Sequence, residues 1–192
     1  MQYLIIYLHG FLSSPQSLKA TQTIEFVAAN YPQLKIKVPQ LGNYPEEAMA
    51  VIESIVADNK DKKLRFIGSS LGGFLSTYMV EKYSGKAVLI NPAVRPFELL
   101  TDFLGDHINP YTQQRFVLGN KHVAELRQLD TPTLKAESDY WVLLQTADET
   151  LDYRQAESKY QDKKLTIEQG GDHSFQNFQR FLPDIFRFLL QD

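Results

Sequence analysis

Short continuous apolar segments recur along the chain, and most are followed by a segment whose apolar residues are spaced as on one helix face. Continuous apolar runs are typical of parallel strands that are covered on both faces. Six segments have this character: Tyr3–Leu8, the region of Ile36 and Val38, 64–67, 87–90, 141–144 and 165–167. Helices are predicted at residues 17–29, 45–59, 71–83, 152–161 and from 178 onward. This alternation predicts an α/β fold with a mainly parallel sheet of about six strands and right-handed crossovers.

Residues 95–139 interrupt this alternation. They contain two short helical patches, 96–103 and 123–129, separated by polar loops with glycine and proline, and no segment typical of a strand. We therefore predict a small helical insertion over one rim of the sheet, within a single domain of residues 1–192.

Composition and charge narrow the classes of function. The net charge is −3 and there is no long basic run, which argues against nucleic acid as a partner. The absence of cysteine excludes disulfides, thiol catalysis and thiolate metal sites. The apolar segment at the N-terminus is too short for a signal core or a membrane span. We therefore expect a cytoplasmic protein without a membrane span, and the sequence leaves its oligomeric state open.

The segment Gly68-Ser69-Ser70-Leu71-Gly72 joins a predicted strand to a predicted helix. Gly-x-Ser-x-Gly in this context is the pattern of a nucleophile elbow, in which a serine hydroxyl projects above the sheet. The amide of Leu71, at the start of the helix, can donate to a developing oxyanion. The pentapeptide alone also fits an ordinary strand-to-helix turn, so the rest of the chain has to decide.

Ligands of open parallel sheets bind beyond the carboxyl ends of the strands. Ser70 follows the third predicted strand, Asp148 the fifth and His173 the sixth, which is the chain order of α/β-hydrolases. A serine hydroxyl needs an imidazole to take its proton, and the imidazole needs a carboxylate to fix its tautomer. We predict Ser70 as nucleophile, His173 as base and Asp148 as acid. Asp152 competes with Asp148 but is less favoured, because it begins a predicted helix that it would cap.

The loop after the first strand, His9-Gly10-Phe11, is expected to complete the site. The backbone N–H of Phe11 would be the second donor of the oxyanion hole, and His9 is expected to hold that loop through hydrogen bonds. No pair of histidines with metal-ligand spacing has a third ligand, so we predict neither a metal nor another cofactor.

Several of these segments resemble the YqiA-like bacterial esterases, which are small and nearly capless α/β-hydrolases. The similarity runs from near residue 4 to near residue 190, and it is carried by residues 8–15, 68–73, 91–96, 148–153 and 170–173. Among these, Asn91-Pro92-Ala93-Val94-Arg95-Pro96 is more specific than a general hydrolase motif. The resemblance implies an α/β-hydrolase-like three-layer sandwich and hydrolysis of a small-molecule acyl ester or thioester, with acyl-CoA among the candidate substrates.

Two other functions stay open at this point. An acyl transferase would use the same residues and differ only in the acceptor, and a non-catalytic binding protein could share the fold. The apolar residues of the insertion either line a groove for an acyl chain or simply pack on the sheet. These residues are Phe97, Leu99, Leu100, Phe103 and Phe116.

Overall fold

The computed structural model describes residues 2–191. Strands and helices alternate in the following order: β1 (Tyr3–Leu8), α1 (Leu18–Asn30), β2 (Lys35–Lys37), α2 (Pro45–Ala57), β3 (Lys63–Ser69), α3 (Leu71–Tyr83), β4 (Lys86–Ile90), α4 (Pro96–Leu99), β5 (Gly105–Ile108), β6 (Arg115–Leu118), α5 (Asn120–Gln128), β7 (Asp139–Gln145), α6 (Tyr153–Lys159), β8 (Lys164–Glu168) and α7 (Leu182–Leu189). Single 3-10 turns at Leu100–Phe103 and Phe178–Phe181 precede β5 and α7.

Six strands form the main sheet in the order β2-β1-β3-β4-β7-β8, and every neighbouring pair is parallel. The prediction of a parallel sheet of about six strands is therefore confirmed. The register pairs Leu8 with Gly68 and Ser69 with Ile90, so the carboxyl ends of β1, β3 and β4 lie level. The residues that follow these strands consequently share one rim of the sheet.

Both faces of the sheet are covered, which explains the continuous apolar strands. Ile5 and Tyr7 of β1 are buried against the layer that contains α1 and α7. Leu4, Ile6 and Leu8 alternate with them and are buried on the opposite face, against α2, α3 and α6. Fully burying one such side chain contributes about 1.5–3 kcal/mol to folding. The result is a three-layer arrangement, as predicted.

The prediction that the insertion contains only helices and loops is wrong. β5 and β6 form a separate antiparallel hairpin, with His107 opposite Phe116. Phe116 and Leu118 face the core while Arg115 and Val117 are exposed, which is the two-residue period of a strand. Four residues give too short a period to recognise, and β5 has only one β-branched residue. The predicted helical patches correspond to α4 with its following turn and to α5.

In the part of the chain that the structure describes, no helix has the length and apolar character needed to cross a bilayer.

Candidate active site

Ser70 occupies the single position between the end of β3 and the start of α3. Its backbone has φ 55° and ψ −119°, a conformation that non-glycine residues rarely adopt and that stores strain. The turn is tight because the flanking glycines carry no side chain. A Cβ on Gly68 would overlap the carbonyl oxygen of Gly72, in the first turn of the helix. The hydroxyl of Ser70 therefore projects from a sharp bend at the rim of the sheet.

His173 links Ser70 to Asp148 at this rim. Its Nε2 lies 3.1 Å from Ser70 Oγ, and its Nδ1 lies 2.8 Å from Asp148 Oδ2 and 3.0 Å from Oδ1. A carboxylate only accepts hydrogen bonds, so Nδ1 carries the proton and donates it to Asp148. Nε2 is then free to accept from the Ser70 hydroxyl. The structure thus brings together the three side chains that the sequence predicted as nucleophile, base and acid.

The carboxylate of Asp148 is fixed by backbone hydrogen bonds in addition to its contact with His173. Its side chain is only 2% exposed, and its Oδ1 accepts hydrogen bonds from the backbone N–H groups of Thr150 and Leu151 at 2.9 and 2.8 Å. These donors fix the carboxylate in the loop after β7. The buried and prebound carboxylate can therefore orient His173 without first losing its own hydration.

Asp152, the competing candidate, is engaged elsewhere. It caps α6, where its Oδ1 accepts from the backbone N–H of Arg154 at 3.1 Å and from the Nε of Arg154 at 2.8 Å. The hydrogen bonds from Arg154 lower the pKa of Asp152. Its contacts are those of a helix cap on the surface.

The loop after β1 lies directly against the elbow. A Cβ on Gly10 would be 3.3 Å from Ser70 Cβ and 3.8 Å from Ser70 Oγ, so the backbone at Gly10 passes beside the hydroxyl. Phe11, the next residue, was predicted to supply one oxyanion donor. Leu71, the other predicted donor, is the first residue of α3, where backbone N–H groups have no partner within the helix.

His9 connects this loop to the backbone at Leu41 through hydrogen bonds. Its Nδ1 lies 2.9 Å from the carbonyl oxygen of Gly10, and its Nε2 accepts from the backbone N–H of Leu41 at 3.1 Å. The side chain is buried, and burial lowers the pKa of His9. A neutral imidazole can donate at Nδ1 and accept at Nε2 at once, which these two bonds require.

An apolar cavity of about 40 Å³ opens beside the same loop. It lies between the loop after β1, the starts of α2 and α3, and the insertion. Its apolar lining includes Phe11, Leu41, Leu71, Leu75, Leu100, Leu118 and Leu126. Of the five insertion residues considered for an acyl groove, Leu100 lines this cavity. Phe97 and Phe116 are buried in the core, Phe103 is exposed and makes a T-shaped ring contact with Phe11, and Leu99 borders a separate surface groove.

The sequence did not indicate what holds the loop that carries His173. Two buried amide side chains do so: Asn91 at the end of β4 and Gln145 at the end of β7. The available signal was a polar residue that directly ends an apolar strand. Among the described residues, no three His, Asp or Glu side chains are grouped as ligands of a metal ion.

Solved structures of hydrolases share this architecture. A protein from Agrobacterium vitis S4, described as a hydrolase, has a TM-score of 0.80 at 17% identity, over 98% of this chain and 88% of that one. Est1E from Butyrivibrio proteoclasticus has a TM-score of 0.74 at 14% identity, over 98% and 87%. The monoacylglycerol lipase of Paleococcus ferrophilus has a TM-score of 0.66 at 16% identity, over 96% and 94%. The fold is that of the α/β-hydrolases.

The sequence itself matches a protein family over almost its whole length. The model of the uncharacterised protein family UPF0227 covers residues 4–190. The chain therefore belongs to this YqiA-like family, UPF0227.

Proposed function

We propose that this protein is a serine hydrolase that cleaves carboxylic esters or thioesters through an acyl-enzyme on Ser70. One observation carries the proposal: a continuous chain of contacts from Ser70 Oγ to His173 Nε2 at 3.1 Å and from His173 Nδ1 to Asp148 Oδ2 at 2.8 Å. The serine, its base and the orienting carboxylate are within hydrogen-bond distance in the order that nucleophilic catalysis needs.

In the first half of the proposed reaction, Ser70 Oγ attacks the carbonyl carbon of the substrate while His173 Nε2 takes the hydroxyl proton. Asp148 stabilises the resulting imidazolium. The carbonyl oxygen becomes an oxyanion and accepts hydrogen bonds from the backbone N–H groups of Leu71 and Phe11. The bond to the leaving group then breaks, and His173 returns the proton to the departing alkoxide or thiolate. In the second half, water attacks the acyl group with the same base, which releases the acid and restores Ser70.

The apolar cavity beside Gly10 and Phe11 is the proposed site for the acyl chain. It adjoins both oxyanion candidates, and leucine is the most frequent residue in its lining, which suits a hydrocarbon chain. A water-sized group needs roughly 10–15 Å³ of cavity space. A volume of about 40 Å³ therefore suits a short acyl chain of about three carbons better than a long one.

The structural neighbours support ester chemistry. Est1E was solved with ferulic acid bound, and another neighbour is a monoacylglycerol lipase. These activities belong to those proteins, and they make hydrolysis of an ester the first reaction to test on this fold.

The test combines active-site labelling with a substrate panel. We expect a fluorophosphonate probe to label the protein at Ser70, and we expect turnover of p-nitrophenyl esters or acyl-CoA thioesters with chains of two to sixteen carbons. Added alcohol acceptors distinguish the transferase, which would form new esters in preference to free acid. A protein that is neither labelled nor active on any of these substrates would contradict the proposal and favour the non-catalytic binding protein.

A further inference from the structure

His173 lies in the loop between β8 and α7, residues 169–177. No helix or strand hydrogen bonds stabilise the backbone of this loop. Gly170 and Gly171 have φ of 83° and 78°, and Phe175 and Asn177 have φ of 62° and 57°. Positive φ at non-glycine residues is strained and persists only where surrounding contacts enforce it. The position of the His173 imidazole therefore depends on contacts between this loop and residues elsewhere in the protein.

Asn91 binds two backbone carbonyl groups of the loop. It directly follows β4, is 2% exposed, and has φ 40°. Its Nδ2 donates to the carbonyl oxygens of Asp172 at 2.9 Å and His173 at 3.2 Å. Its Oδ1 accepts from the backbone N–H of Gln145 at 3.0 Å. The side chain thus ties the backbone of His173 to the ends of two central strands.

Gln145 forms hydrogen bonds with the same loop on both sides of His173. It ends β7 and is 3% exposed. Its Oε1 accepts from the backbone N–H groups of Asp172 at 3.2 Å and Gln176 at 2.8 Å. Its Nε2 donates to the carbonyl oxygen of Gln176 at 3.1 Å and to Glu168 Oε2 at 3.0 Å. This side chain packs so closely that a Cβ on Gly171 would overlap it.

We infer that Asn91 and Gln145 are positioning residues, which set the distance from His173 Nε2 to Ser70 Oγ without touching the substrate. This inference rests on the proposed serine hydrolase function. The two amides together hold backbone atoms of Asp172, His173 and Gln176, and they connect them to rigid strands of the sheet that also presents Ser70. A shift of about 1 Å at a reacting group can lower a rate about 100-fold.

The first test is a double-mutant cycle with His173. We expect Asn91→Ala to lower kcat on a p-nitrophenyl ester by about 100-fold with KM nearly unchanged. In a His173→Ala background, the same substitution should cost no further activity, because the residue acts only through that imidazole. Thr77→Val is the matched control: it removes the buried contact between Thr77 Oγ1 and Tyr160 OH at 2.7 Å, in the middle of α3, and should leave kcat within about twofold.

The second test does not depend on turnover. In the wild-type protein, the Nδ1 proton of His173 between the ring and Asp148 should give a downfield proton NMR signal, identified by its loss in His173→Ala. We expect Asn91→Ala to weaken or abolish this signal while the circular dichroism spectrum stays native. Gln145→Met, which keeps the length of the side chain but removes both polar ends, should do the same.

The outcomes separate this inference from the proposed function. If the wild type hydrolyses no ester, the function fails, while loss of the His173 signal in folded Asn91→Ala still supports the positioning role. If the wild type is active, two results would overturn the inference: unchanged kcat and signal in both variants, or an equal loss of activity with and without His173. Unfolding of both variants would also overturn it, since the amides would then be needed for the fold as a whole.

Discussion

The carbonyl group of Leu8, at the end of β1, lies against Gly72 in the first turn of α3. A Cβ on Gly72 would overlap the carbonyl carbon and oxygen of Leu8 and the carbonyl oxygen of His9. The helix that begins at the elbow is therefore packed directly on the strand that leads into the loop with Phe11. This contact holds the two segments that carry the proposed oxyanion donors, Leu71 and Phe11, next to each other in space.

Gly72→Ala should destabilise the protein, although alanine is the better helix former by about 1 kcal/mol. The added methyl group meets backbone that cannot move aside, and overpacking of this kind typically costs about 1–3 kcal/mol. Urea denaturation measures the change in the free energy of unfolding. Gly119→Ala is the matched control, since a Cβ there has nothing within 4 Å and Gly119 has an extended φ of −134°. A stable Gly72→Ala protein would contradict this close packing.

Ser70→Ala should fold normally and lose ester hydrolysis by about 10⁴-fold or more, as removal of a nucleophile does in related chemistry. Steady-state assays and fluorophosphonate labelling would both detect the loss. Ser69→Ala, at the neighbouring position in β3, should keep its labelling. Retained activity in Ser70→Ala would exclude Ser70 as the nucleophile.

Asp148→Asn should lower kcat by up to about 10⁴-fold, because an amide favours the wrong imidazole tautomer. Asp152→Asn should leave kcat nearly unchanged and cause only a small loss of stability, since it only weakens the cap of α6. Kinetics and urea denaturation of both variants decide the matter. The reverse pattern would assign the role of the acid to Asp152.

Leu100→Ala should shift chain-length preference towards longer acyl groups. Leu100 lines the proposed acyl cavity, so its truncation enlarges a space of about 40 Å³. We expect kcat/KM to rise for hexanoyl relative to butanoyl esters by a factor of about 10, because the enlarged cavity accommodates the two additional methylene groups. Leu99→Ala, which borders a separate groove, is the control. An equal loss across all chain lengths would indicate that Leu100 serves packing alone.

The predicted parts of the fold are those in which local pattern and tertiary packing agree. The apolar strands β1 and β4 are covered on both faces, and α3 occupies the predicted residues Leu71–Tyr83. Strand order, by contrast, depends on long-range pairing, and no local pattern contains it. The hairpin of β5 and β6 was missed because strands of four residues are too short for their two-residue period to be recognised.

The same division applies to the candidate site. Ser70, Asp148 and His173 could be predicted because each follows a recognisable strand, and the sheet brings strand ends together. Asn91 also follows a strand, but its side-chain contacts with the His173 loop lie about 80 residues away along the chain. Gln145 resembled an ordinary polar residue at a strand end. Its role depends on a loop conformation that positive φ at Phe175 and Asn177 creates, and residue type alone does not reveal this.

His9 should make the stability of the protein pH-dependent below neutrality. Burial lowers its pKa in the folded state below the usual value of 6.5, and its Nε2 accepts from Leu41 only when that nitrogen is unprotonated. As the pH falls below 6.5, His9 becomes protonated in the unfolded chain but stays neutral in the folded protein. The free energy of unfolding therefore decreases between pH 6.5 and the lowered pKa, by at most about 1.4 kcal/mol per pH unit.

The measurement is urea denaturation of the wild type and of His9→Gln at pH 7.5 and 5.5. His9→Gln is expected to be less stable at pH 7.5, because it disturbs the bonds to Gly10 and Leu41. Its loss of stability on acidification should nevertheless be smaller than that of the wild type, since all other titrating groups are shared. Equal losses in the two proteins would mean that His9 takes up its proton as readily in the folded state as in the unfolded chain. In that case a neutral His9 imidazole would not be what holds the loop with Phe11 beside Ser70.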